Sequence, residues 1–155
     1  LIHDECLRMA ADVESVPAEE RLHVAMVGIR RMILDADSFR GFFDIFPHAM
    51  REPELRTRLF ALYEWWYQQN LKWLGLAAPN AESNEMLMGL AELIAAVPDG
   101  LSVQAGLNPD GFDLSRPLAT LEFLLRNSMD QLLVMAADAA GQDVAAGDQA
   151  AAAGA

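Results

Sequence analysis

Glu54-Leu55-Arg56-Thr57-Arg58-Leu59-Phe60-Ala61-Leu62-Tyr63-Glu64-Trp65-Trp66-Tyr67-Gln68-Gln69-Asn70-Leu71-Lys72-Trp73-Leu74 is the longest unbroken helical pattern in the chain, and its reading decides the fold class. Leu55, Leu59, Leu62, Tyr63, Trp66, Trp73 and Leu74 fall within one broad face at helical spacing. Pro53 restarts the chain ahead of it, and Gly75 through Asn80 is a linker that opens with a helix stop. Working outward, Pro, Gly and Asn punctuate further helices on both sides. Upstream, Leu22, Met26, Ile29 and Ile33 form a helical stripe, and Val24, Val27 and Leu34 form a second apolar side. A helix apolar on two sides is expected to be central and buried. A short helix from Leu1 to about Val13 precedes it. A short helix with Phe39, Phe42, Phe43 and Phe46 follows, which Asp37 and Ser38 can cap and Pro47 bends or ends.

Downstream, a helix from about Ser83 to Leu107 carries Met86, Leu90, Leu93, Ile94, Val97 and Leu101, with a kink expected at Pro98. Asn108-Pro109-Asp110-Gly111 is a turn signal. A last helix, about Ser115 to Ala137, aligns Leu118, Leu121, Leu125, Met129 and Leu132. No convincing strand alternation and no internal repeat interrupts this order. The expectation is an all-α bundle of about six helices over residues 1–140. Residues 141–155, rich in Ala and Gly, are read as a disordered or fraying tail.

Composition narrows the function. The 155 residues suit one compact domain, and 11 basic against 23 acidic side chains give a formal charge of −12. Such a chain is no grip for nucleic acid, because neutralising phosphates needs clustered Lys and Arg. Cys6 is alone, which excludes a disulfide framework and most zinc sites and fits a reducing cytoplasm. No stretch reaches the roughly 18 uninterrupted apolar residues of a membrane span, and the start carries His, Asp and Glu instead of a basic signal-peptide head. The chain begins with Leu1, so we expect a fragment of a longer protein.

Chemistry-bearing patterns are few. Glu20 and His23 form one Glu-x-x-His, half of a di-iron bundle signature. Neither His3 nor His48 supplies the second copy, so the pair reads as a surface feature. His3 and Cys6 do not make a metal site on their own. There is no Gly-x-Ser-x-Gly elbow, no phosphate-cradling glycine loop and no signature around Cys6. No enzyme, metal or cofactor is therefore expected. The aromatic clusters at 39–46 and 63–67 have two readings: core packing, or a cavity wall for a flat or hydrophobic small molecule. Asn70 on the apolar face, where an amide needs a partner, favours the cavity, as do eight adaptable methionines. Aromatic walls in an acidic protein could also hold an organic cation. Trp65 lies in the sector of Arg58, Gln68, Gln69 and Lys72, at the surface or against another subunit. The last two helices carry long apolar faces, and Gly89, Ala91, Ala95 and Ala96 leave room for close helix approach. Two readings follow: self-association as a homodimer through a four-helix bundle, which we expect, or use of both faces within a single chain.

The order of helices, with Ala91-Glu92-Leu93-Ile94-Ala95-Ala96-Val97-Pro98-Asp99-Gly100-Leu101-Ser102-Val103-Gln104 and Leu107-Asn108-Pro109-Asp110-Gly111, resembles the C-terminal regulatory domain of TetR-family transcriptional repressors. The long helix with its central Tyr-x-x-Trp is similar to the family's pocket helix. The resemblance spans about residues 1–137. It implies an N-terminal helix-turn-helix domain, expected before Leu1, that grips an operator as a dimer. It also implies an inducer that favours the dimer geometry unable to match successive major grooves. On this reading Phe42, Phe46, Tyr63, Trp66, Tyr67 and Asn70 form the ligand wall, with Met26, Met86 and Leu90 opposite. Leu101, Gln104, Leu118, Leu121, Leu125 and Leu132 form the dimer face. The inducer is expected to be small and hydrophobic or aromatic, with DNA reached only through the absent domain. The alternative is a stand-alone helical module that binds a ligand or protein and has no DNA-binding role.

Overall fold

A computed structural model describes the backbone of residues 2–77 and 84–153 and the side chains of residues 4–35, 41, 43–77, 84–135 and 137. Six helices follow in order: α1 (Ile2–Glu14), α2 (Ala18–Leu34), α3 (Ala36–Ala49), α4 (Pro53–Trp73), α5 (Glu85–Leu107) and α6 (Ser115–Ala153). The described residues contain no strand, so the domain is all-α as expected. The backbone of residues 141–153, within the expected tail, is helical.

The helix ends follow local chemistry. Pro53 opens α4 in its first turn. Gly75 closes it at φ +71°, while the Leu76 N–H donates back to the Leu71 carbonyl at 2.8 Å. Asn84 starts α5, its Oδ1 accepting from the N–H groups of Met86 and Leu87 at 3.1 Å each. Asp113 Oδ1 accepts from the Ser115 N–H at 3.1 Å ahead of α6. Helix α3 begins at Ala36, one residue before the expected Asp37 cap, and runs two residues past Pro47. Helix α5 is unbroken through Pro98, where the Ser102 hydroxyl donates to the Pro98 carbonyl at 2.6 Å.

Helix α2 is the hub, packing against each of the other five. Leu22, Ala25, Met26, Ile29 and Ile33 are buried along it, as the stripe predicts. Its second apolar side is not: Val24 is half-buried, and Val27 and Leu34 are exposed. The partners of α2 cover one wide arc, with Val24 packed at its edge and Val27 and Leu34 outside it. At Gly28 α1 comes so close that an added Cβ would sit 2.5 Å from Cγ and Sδ of Met9. The core continues through Met9 and Val13 of α1, Leu71 and Trp73 of α4, Leu87, Ala91 and Ile94 of α5, and Leu118 and Leu125 of α6. Each fully buried Leu, Ile or Met there contributes about 1.5–3 kcal/mol relative to exposure. Helix α5 is long and apolar enough to cross a membrane, but Leu87, Ala91, Ile94, Ala95 and Leu101 bury its inner face in this core. Charged pairs link the periphery, Lys72 to Glu14 at 2.6 Å and Arg31 to Asp12 at 3.4 Å.

Candidate functional site

Four helices enclose a cavity beside the hub. Its wall is Leu22, Ala25, Met26 and Ile29 of α2, Asn70, Trp73 and Leu74 near the end of α4, Ile94 of α5 and Leu125 of α6. Its volume is about 10 Å³, room for one water molecule. Asn70 is 3% exposed, and its Nδ2 donates a long 3.5 Å bond to the Ala91 carbonyl, tying α4 to α5. That is the partner its position on an apolar face demanded. Trp73 is also buried, with its ring edge-on to Trp66 at 5.4 Å between centroids.

Of the expected ligand wall, Met26 and Asn70 line this cavity, and Trp66 lies behind it against Trp73. Met86 does not: it is 64% exposed, because the inner face of α5 starts one residue later at Leu87. Phe46, Tyr63, Tyr67 and Leu90 are half-buried and outside the cavity wall. The Phe42 side chain lies outside the described residues. Trp65, expected at the surface or against another subunit, is half-buried against the core, 6.0 Å from Trp66. Sequence reading missed the roles of Trp73, Leu22, Ile29 and Ile94 as wall. Nothing in one helix's periodicity tells which core residues border a void.

Tyr63 and Tyr67, with ring centroids 6.1 Å apart, belong to a separate polar contact between α4 and α5. The Tyr63 hydroxyl donates to Asp99 Oδ2 at 2.5 Å. Burial pushes the Tyr63 hydroxyl above its ordinary range, and the bond to Asp99 adds to this. Burial likewise raises the Asp99 carboxyl, against the stabilising bond from Tyr63. Tyr67 is raised by burial and then by the nearby Glu92, Asp99 and Glu64. On the opposite side, His23 of α2 meets Glu122 of α6 at 3.2 Å, and Arg126 binds the same carboxylate at 2.8 Å. Burial alone would raise Glu122, but these hydrogen bonds outweigh it and hold its carboxyl below the usual range. His23 thus pairs across helices, not with Glu20 as half of a metal site. Among the described residues no group of three His, Cys, Asp or Glu side chains could hold a metal ion. Cys6 is buried, its thiol pushed up to about 11 by burial and then by Glu5.

The expected dimer face also divides. Leu101, Leu118 and Leu125 are buried within the chain. Leu121 and Leu132 are half-buried beside them, and Gln104 is exposed. The leucine stripe of α6 is therefore its inner face, consumed by packing on the chain's own core. Ala91 and Ala95, expected at a helix–helix approach between copies, are likewise internal. The outer face of α5 presents Met86, Gly89, Leu93, Ala96, Gly100, Val103 and Leu107, and α6 presents Phe123, Leu124 and Val134 outward.

The chain is an all-α domain with a hub helix, a small apolar cavity and two long helices with uncovered outer faces. A family model described as "BetI-type transcriptional repressor, C-terminal" matches residues 34–130. The chain belongs to that family, and so to the C-terminal domains of TetR-type transcription regulators, a class whose role is regulatory and not enzymatic. Such domains typically dimerise and bind small molecules. No curated protein and no solved structure matches the chain.

Proposed function

We propose that the chain is the small-molecule-sensing and dimerisation domain of a TetR-like repressor acting in the cytoplasm. An inducer entering the cavity between α2, α4, α5 and α6 releases DNA held by a helix-turn-helix domain elsewhere in the longer protein. The observation that carries this reading is that α6 serves two surfaces. Leu125 is part of the cavity wall, while Phe123 and Leu124, two residues and one residue earlier, face outward. A ligand that displaces Leu125 must move the helix that bears the outer face. The cavity has room for one water only, so the inducer-bound form is a second conformation, populated to the extent that the ligand binds it better.

Dimerisation here uses the outer faces of α5 and α6, four helices from two copies, with Leu93, Val103 and Leu107 of α5 and Phe123 and Leu124 of α6 at the contact. Exposed apolar side chains in that number on adjoining elements support an interface. Sedimentation equilibrium tests it. The chain is expected to be a dimer at micromolar concentration, and Leu93→Asp with Phe123→Asp to be a monomer of unchanged helicity. A native chain that sediments as a monomer at about 100 μM, weaker than interfaces of this class, refutes the assembly.

A further inference from the structure

Among the described residues, two buried side-chain polar atoms lack a hydrogen-bond partner, Glu5 Oε2 and Trp73 Nε1. Glu5 Oε2 is 2.7 Å from the Arg8 guanidinium and so has a counter-ion. Trp73 Nε1 has neither, though its residue is 5% exposed. A buried N–H left unpaired is unfavourable and rare enough to need a reason. Trp73 is also one of only two polar-tipped side chains in the cavity wall. The other, Asn70, is engaged by its long bond to the Ala91 carbonyl. The remaining wall residues are Leu, Ala, Met and Ile, with no Asp, Glu, Lys, Arg or His among them.

We propose that this cavity receives an uncharged, mainly apolar molecule bearing one hydrogen-bond acceptor, a ketone, ester or ether oxygen, to which the Trp73 indole N–H donates. The proposal rests on the ligand-sensing reading above and adds the chemical class of the ligand. A charged ligand would be buried here without a counter-ion, which is costly for either sign. That argues against the organic cation which aromatic content alone allows. The orphan donor calls for an acceptor and cannot serve a second donor. Room is made at Met26, whose unbranched side chain adapts readily, and at Leu125. Opening parts α6 from α2, and the polar contacts beside these wall residues are the His23–Glu122 pair at 3.2 Å, of which the His23 side chain is largely exposed, and a long 3.5 Å bond from the Arg126 guanidinium to the Glu19 carbonyl.

Four small probes of one shape test the assignment: cyclohexanone, methylenecyclohexane, cyclohexylammonium and cyclohexanecarboxylate. The chain has three tryptophans, so the ¹⁵N–¹H spectrum of the whole chain shows three indole signals, and Trp73→Phe identifies its own by loss. Cyclohexanone is expected to move the Trp73 indole proton downfield and to bind about tenfold more tightly than methylenecyclohexane, which has the same shape without the acceptor. In Trp73→Phe that preference falls to about twofold or less. If this variant fails to fold, Trp65→Phe and Trp66→Phe identify the Trp73 signal by elimination, and its shift and the preference in the native chain still decide. Equal affinity for the two neutral probes, or tighter binding of either ion, overturns the proposal. So does a Trp73 signal that no probe moves, which would mean a cavity filled by one water only. Sedimentation of the same samples separates the two readings: a dimer blind to every probe refutes the ligand class and leaves dimerisation standing.

Discussion

The Tyr63–Asp99 bond puts a carboxyl in a half-buried seam between α4 and α5, where ionisation is unfavourable. Its folded-state pKa is raised, so the folded chain holds that proton more tightly than the unfolded chain does. The stability this group contributes is full below the ordinary carboxylate range and is lost as pH rises through the folded value. Asp99→Asn keeps an oxygen to accept from the Tyr63 hydroxyl and removes the charge. The variant is expected to melt above the native protein at about pH 7, with the difference vanishing below about pH 4. Melting temperatures recorded across that range check the sign, and a variant less stable at neutral pH refutes it. At this scale sequence reading was uneven. Asn70 on an apolar face announced its need for a partner, and the Ala91 carbonyl answers it. Asp99 announced nothing, because a carboxylate on a helix is ordinarily solvated. Only the register of α4 against α5 brings Tyr63 to it, across 36 residues of sequence.

Helix contacts turn on single small residues and on pairs between elements. Gly28 admits α1 onto α2, and the atoms an added Cβ would strike are Cγ and Sδ of Met9, a side chain 1% exposed. Gly28→Ala is expected to cost about 1–3 kcal/mol as overpacking. That lowers the melting temperature by roughly 2–4 °C per kcal/mol. Met9→Ala has its own cost as a cavity, so the double variant should lose less than the two single losses added together, whereas additive losses would place the strain elsewhere. The contact between α2 and α6 depends on Glu122, whose carboxyl is held below its usual range. A depressed carboxylate contributes above its unfolded pKa, and the contribution is lost as pH falls through the folded value. Glu122→Gln is expected to cost about 0.2–1 kcal/mol at neutral pH and nothing in acid below about pH 3. Periodicity made the helices and the inner stripe of α2 legible. It did not tell inner from outer on α6, because that helix is apolar on both sides. Its regular leucines meet the core, and the less regular Phe123 and Leu124 face away.

At the scale of the whole molecule, three of the leucines most like a dimer seam in sequence, Leu101, Leu118 and Leu125, are already buried within the chain. Leu125→Asp is therefore expected to lower helicity and melting temperature sharply, since it buries an unpaired charge in the core. Phe123→Asp, two residues earlier, should leave both nearly unchanged and alter only association. Circular dichroism beside sedimentation separates these outcomes, and equal thermal losses from both would place Phe123 inside the fold. The all-α class, the helix order and the family were legible because they depend on periodicity, punctuation and the stretch from Ala91 to Gly111. The cavity was not, since its wall draws on four helices whose mutual placement no local pattern encodes.

Leu125 and Phe123 share one rigid turn of α6, and this has a thermodynamic consequence. If filling the cavity weakens the contact between copies, then contact between copies must weaken binding in the cavity by the same factor. The affinity of this domain for its effector is then no fixed constant. It falls as the protein becomes more concentrated, so a given ligand concentration occupies a smaller share of the copies.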